Sequence, residues 1–99
     1  MDVRLLYFDG CPNWPVAEER LREALTRVGL EGQSIGRVPV DTPDDAERLG
    51  FIGSPTILLD GRDPFATGRE QPGLACRVFS TRDGLAGAPT LDQLVQALS

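Results

Sequence analysis

The stretch Asp9-Gly10-Cys11-Pro12-Asn13-Trp14-Pro15 decides how this chain is read. The run Val3 to Phe8 leads into it. That run is apolar on both faces, the pattern of a central strand. The segment Val16 to Val28 leads out, with Ala17, Leu21, Ala24, Leu25 and Val28 spaced along one helical face. Glu18, Glu19, Arg20, Arg22, Glu23 and Arg27 face mostly outward. Glu18–Arg22 and Glu23–Arg27 are favourable four-step pairs, and Gly29 suits the C-cap. Cys11 therefore stands where a strand hands over to a helix. Unpaired N–H groups at a helix start aim partial positive charge outward. A thiolate, the nucleophilic form of cysteine, is stabilised there. The other fate of a cysteine in this place is that of a small buried hydrophobe. Two registers fit the helix start. Either Cys11 is the N-cap with Pro12 at the first position, or Trp14 is the N-cap with Pro15 there. The second weakens the dipole's hold on Cys11, which fades within a turn.

The rest of the composition narrows the chemistry. Ninety-nine residues make one domain. A net charge of -5 argues against nucleic acid as a partner, because phosphate contacts need a basic patch. All ten basic residues are arginine, so Schiff-base chemistry and a lysine nucleophile are excluded. Histidine is absent, which removes Ser-His and Cys-His triads and His-based zinc sites. Two cysteines cannot supply a four-thiolate zinc site within one chain. Val3 to Phe8 is too short for a membrane span or a signal peptide. The expected compartment is the cytoplasm, with thiols reduced.

Further along, Gln33 to Val40 reads as an edge strand, given Gly36 and Pro39. A short helix, Asp44 to Leu49, follows; Thr42 or Asp41 can cap it and Gly50 closes it. Gly53-Ser54-Pro55-Thr56 precedes a third strand, Thr56 to Leu59, and Asp60-Gly61 looks like a tight turn. The segment Arg62 to Gly73 is a long loop, and loops of that length are usually functional or mobile. Ala75 to Ser80 is strand-like, Asp83-Gly84 and Gly87 form a turn, and Pro89-Thr90 starts a last helix carrying Leu91, Leu94, Val95 and Leu98. The expected architecture is an α/β sandwich. Its first two strands are parallel through a right-handed crossover, its first and third strands lie in the middle, and its last two strands form an antiparallel hairpin.

That order, with Cys11-Pro12 at the first helix and Ser54-Pro55-Thr56 before the third strand, resembles the thioredoxin/glutaredoxin superfamily. Leu5-Leu6-Tyr7-Phe8 and Cys11-Pro12 are similar to its glutaredoxin-type strand and active-site start. Val40-Asp41 and Glu47-Arg48-Leu49-Gly50-Phe51 are similar to its approach to the third strand, and Pro55-Thr56 matches its Pro-Thr. The resemblance covers nearly the whole chain. It implies a βαβ(α)ββα sandwich: a four-stranded mixed sheet with helices on both faces. It also implies a cis Pro55 beside the active cysteine, and a substrate backbone held by Ser54, Pro55 and Thr56 through strand addition. Pro12 would flank the thiol, and the Asp83-Gly84 turn would contact a low-molecular-weight thiol as co-substrate.

The departure from the pattern is Trp14, where a dithiol member has its second cysteine. A local Cys-x-x-Cys disulfide cannot form. Trp14 then serves as a lid over the thiol, a stacking surface for a ligand, or packing at the head of the helix. Cys76 is the one remaining partner. If Ala75 to Ser80 pairs with the third strand, Cys76 falls about 8 Å or more from Thr56 and farther from Cys11. A disulfide needs Cα atoms within about 7 Å. On that register Cys76 is a core or sheet-face cysteine. A slipped register, or the long loop folding back, would bring it closer to Cys11, as a resolving thiol requires.

Three functions follow as expectations. The first is a monothiol thiol-disulfide oxidoreductase or thiol-adduct carrier, with Cys11 as nucleophile and protein or small-molecule thiols and disulfides as partners. The second is a non-catalytic thioredoxin-like binding or partner domain. The third is soft-metal binding, mercury included, through the thiolates.

Overall fold

Strand β1, Val3–Tyr7, is the centre of a three-stranded sheet ordered β2-β1-β3 in the computed structural model, which describes residues 1–99. Strand β2, Gly36–Pro39, runs parallel to it, with Leu5 opposite Arg37 and Leu6 opposite Val38. Strand β3, Thr56–Leu59, runs antiparallel, with Leu6 opposite Thr56. As Pro39 requires, β2 is an edge.

Alternation along β1 divides the core between two faces. On one, Val3 and Leu5 pack with Ile57 and Leu59, with Leu21, Ala24 and Leu25 of helix α1, Trp14–Arg27, and with Leu94 and Leu98 of the last helix. On the other, Leu6 packs with Val40, Phe51 and Ala46 of helix α2, Pro43–Leu49. Helices thus cover both faces of the sheet.

The helix ends follow the local chemistry. The α1 terminus is a Schellman arrangement: Leu30 N–H reaches Leu25 O at 2.8 Å, Gly29 N–H reaches Thr26 O at 3.1 Å, and Gly29 has φ +82. Thr42, rather than Asp41, caps α2, its Oγ1 accepting from Asp45 N–H at 3.1 Å, and Gly50 closes the helix at φ +67. Thr90 and Gln93 make a reciprocal capping box at the start of the last helix, Leu91–Leu98.

The expected fourth strand differs. Ala75 to Ser80 does not pair with β3. Its end becomes β4, Phe79–Thr81, which pairs only with β5, Gly84–Ala86, as a separate two-stranded sheet. The last helix is therefore α3. The tight turn at Asp60 and Gly61 does form, with φ +52 and +81, but its ladder ends after Leu59 and Arg62. The chain then leaves the sheet and returns in the opposite sense. Gly73 N–H bonds Phe51 O at 3.1 Å, Ser54 N–H bonds Ala75 O at 2.8 Å, and Arg77 N–H bonds Ser54 O at 2.9 Å. Ser54 and Cys76 thus form a parallel bridge.

Gly53 permits this close approach. A Cβ there would lie 3.0 Å from Arg77 Cβ and 3.2 Å from Ala75 O, at a φ of +123. Gly53→Ala is expected to destabilise the fold by about 1–3 kcal/mol, seen as a lower urea midpoint, and to loosen residues 73–77 first in amide exchange.

Candidate functional site

Asn13 is the N-cap of α1, neither of the two residues expected, and its side chain makes no cap hydrogen bond. Trp14 and Pro15 open the helix, so Pro15 loses no intrahelical bond. Cys11 lies in the preceding turn, its N–H bonded to Phe8 O at 3.1 Å, and it is buried at 2 % exposure. The Asn13 contact leaves no room for a side chain at Gly87, where a Cβ would overlap the amide. The loop entering α3 is thus packed on the helix start.

Trp14 is packing. Its ring stacks on Tyr7 with centroids 4.3 Å apart, and the Arg37 guanidinium lies 5.2 Å from its centroid. Arg37 is held in turn by Glu18, at 2.6 Å from Nη2 to Oε1. Glu18 was expected outside, yet it is buried, because Arg37 of β2 pairs it. The Arg37 hydrogen bond holds its carboxyl below the usual range against the opposing effect of burial.

Cys76 is where the expected register fails. The two thiols are in contact, with Cys76 Sγ 3.4 Å from Cys11 Sγ. The 8 Å separation assumed an antiparallel partner for β3. The parallel return past Ser54 carries Cys76 onto Cys11 instead. Both cysteines are free; Cys11 is buried and Cys76 exposed.

The Ser54–Pro55 bond is cis. Ser54, Pro55 and Thr56 are, however, fully buried. Ser54 already spends both backbone groups on Ala75 and Arg77, and the Thr56 hydroxyl bonds Gly53 O at 2.7 Å. The expectation that these three hold an external backbone is corrected at Ser54, whose backbone the chain's own residues 75–77 occupy. Asp83 and Gly84 sit at the exposed tip of the β4–β5 hairpin, and their hydrogen bonds run only to Thr81. No hydrogen bond joins them to the cysteines. Pro12 is exposed beside Cys11.

The tether of the returning segment was not legible in the sequence. Arg77 is buried, and its guanidinium makes a two-point pair with Asp63, at 2.6 and 3.3 Å. It also lies 4.5 Å from the Phe79 ring centroid, and Phe79 meets Phe65 edge-on at 5.6 Å. The long loop is thereby folded back and anchored. Asp63 and Arg77 are far apart along the chain, and no local pattern links them.

The electrostatics separate the two thiols. Burial pushes the Cys11 thiol up. It is outweighed by the Ser54 side chain, the Asn13 N–H, the Cys76 thiol and the Trp14 N–H, which together hold Cys11 below the usual thiol range. The Cys76 thiol is pushed up, first by the hydrogen bond it gives Cys11, then by burial and the neighbouring charge. Of the two singly ionised forms, the favoured one is a Cys11 thiolate accepting from a Cys76 thiol. As a thiol, Cys11 instead donates to Ser54 O, at 3.3 Å. Thiolate absorbance in the ultraviolet is expected to rise in two separated steps, Cys11 first and Cys76 second. Cys11→Ala should remove the lower step.

No cavity opens at the thiol pair. Three surface hollows of about 190, 300 and 190 Å³ are lined by residues of the 59–80 region and α3, without either cysteine. No group of three or more His, Cys, Asp or Glu side chains is placed to hold a metal ion. No helix is long and apolar enough to cross a membrane. Comparison with protein-family models, curated proteins and solved structures finds no match for the chain.

Proposed function

We propose that this chain is a thioredoxin-like thiol-disulfide exchange protein whose working pair is Cys11 and Cys76. The observation that carries the reading is the 3.4 Å contact between the two sulfurs. A disulfide bond is about 2.05 Å long, so closure asks for little more than a small approach of two side chains. The unequal acidities of the pair suit it to the same chemistry: Cys11 gives up its proton more readily than Cys76 does. This reading replaces a monothiol mechanism with a dithiol one. The second thiol comes from the segment beside the cis-proline rather than from the first helix.

The thioredoxin-like assignment is supported by the parallel β1–α1–β2 unit, the antiparallel β3, the helices on both faces and the cis Ser54–Pro55 bond. In this reading the Ser54–Cys76 bridge and the β4–β5 hairpin stand where a fourth strand is otherwise found. Partners are thiols and disulfides from a reducing, cytoplasmic pool, in which the dithiol is the resting form.

Oxidation joins Cys11 Sγ to Cys76 Sγ. The two electrons released reduce a partner disulfide to two thiols or thiolates. The test is mass spectrometry of the wild-type chain equilibrated with mixtures of oxidised and reduced glutathione. The expected product is a monomer lighter by two hydrogens, restored by excess reductant and absent from Cys11→Ala and Cys76→Ala. Persistence of two free thiols, or only intermolecular disulfides, would overturn the reading.

A further inference from the structure

Building on that dithiol reading, we infer that an exogenous disulfide engages this pair at Cys76, and that Cys11 is the leaving and resolving sulfur. Access comes first. Cys76 is exposed, whereas Cys11 is 2 % exposed and lies against the Ser54 carbonyl and Cys76 itself. Exchange requires an approach to the attacked or attacking sulfur, and Cys76 offers the open side. The backbone argues the same way. Ser54 has both its N–H and its carbonyl committed to Ala75 and Arg77, so nothing extended can pair beside Cys11 while residues 75–77 are in place.

The proton has a route. Once Cys11 has ionised, Cys76 donates its S–H to the Cys11 thiolate across the 3.4 Å contact. Transfer of that proton leaves a Cys76 thiolate and a Cys11 thiol, and Cys11 then donates to Ser54 O. The Cys76 thiolate attacks one sulfur of the exogenous disulfide, and the other sulfur departs as a thiolate. That thiolate takes the proton from Cys11. Cys11 then attacks Cys76 Sγ, the bond from Cys76 to the partner breaks, and a second partner thiolate leaves. One thiolate, one thiol and one external disulfide have become one internal disulfide, one external thiol and one external thiolate. In the reverse direction an external thiolate attacks Cys76 Sγ and Cys11 departs with the electron pair. The more acidic sulfur is the better leaving group, and Cys11 is the one held low.

The experiment treats wild type, Cys11→Ala and Cys76→Ala with a small excess of oxidised glutathione, quenches with acid at intervals and locates adducts by peptide mass mapping. In Cys11→Ala the adduct is expected to accumulate on Cys76. In folded Cys76→Ala, Cys11 should be labelled at least about tenfold more slowly, since burial protects it. Wild type should show a transient adduct on Cys76 that gives way to the internal disulfide. A first adduct on Cys11, in wild type or at a comparable rate in Cys76→Ala, overturns the inference. An adduct on Cys76 that never closes supports the entry point and overturns the dithiol reading. Should alanine at position 11 impair folding, the wild-type time course alone reads the order of attachment.

Discussion

Asp63→Ala is expected to lower the free energy of unfolding by about 3–5 kcal/mol, because it strands a buried guanidinium without its counter-charge. The side chains of Arg77 and Asp63 are 5 % and 11 % exposed, and their closest contact is 2.6 Å. Asp63 Oδ1 also accepts the Phe65 N–H at 2.9 Å, so its loss frees the loop as well as the cation. A domain of this size has a total stability of about 5–15 kcal/mol, and the substitution removes a large part of it. Urea unfolding followed by tryptophan fluorescence measures the loss. The paired substitution Asp63→Ala with Arg77→Met is the control. Replacing both members of a buried pair by apolar groups is often neutral, so it should recover most of the stability. A single-mutant loss below about 1 kcal/mol, the range of exposed pairs, would show that water reaches the guanidinium. The same substitution has a chemical consequence. Arg77, next to Cys76 in the chain, gives its N–H to Ser54 O, so loosening Arg77 should slow closure of the proposed Cys11–Cys76 disulfide.

The parts of this fold that the sequence announces are those built from local signals. Val3 to Phe8, apolar on both faces, becomes the central β1. Thr42 and Gly50 bound α2 as their capping chemistry directs, and Thr90 does the same for α3. The first cysteine was legible too, since a strand-to-helix junction is a local feature. The second half of the site was not. The position of Cys76 depends on the path of residues 62–78, and that path is set by contacts distant in sequence: Arg77 with Asp63, Phe79 with Phe65, and a bare Cα at Gly53. Asp60-Gly61 pointed to a hairpin and produced one, but only a single residue pair follows the turn. Pro64, two residues past Arg62, has no backbone N–H to continue a ladder. Assigning Ala75 to Ser80 to the β3 edge followed from the order of the elements, and that order does not fix how the chain returns after the loop of residues 62–73. Trp14 shows a different limit. Its place in the motif left a lid, a ligand surface or packing at the helix head open, and its contacts with Tyr7 and Arg37, from two strands, are those of packing.

Ser54→Ala should separate thiol chemistry from stability. The Ser54 hydroxyl is buried without a hydrogen-bond partner, an arrangement that costs about 1–3 kcal/mol when nothing compensates. Its neighbour is Cys11, whose thiol donates to the carbonyl of this same residue. With Cys11 protonated, the hydroxyl gains nothing from it. With Cys11 ionised, the sulfur becomes an acceptor and the hydroxyl acquires its partner, which is why the Ser54 side chain helps to hold the Cys11 thiol low. A hydrogen bond to a charged group contributes about 1.5–3 kcal/mol. Removing it should reduce the Cys11 thiolate population at pH values below its titration. The sign for stability follows from linkage. A thiol whose folded pKa is depressed adds stability that is fully present above the unfolded value and is lost as pH falls through the folded one. Ser54→Ala should therefore be less stable than wild type above the ordinary thiol range near about 8.5. Below the lowered Cys11 titration it should be equally stable or more stable, since a buried orphan hydroxyl has been removed. Thiolate absorbance against pH and urea midpoints at two pH values measure both halves. An unchanged lower titration step would remove Ser54 from the chemistry and leave its hydroxyl as a defect of packing alone. A raised step with unchanged low-pH stability would identify it as the group that prepares Cys11 to leave and to resolve.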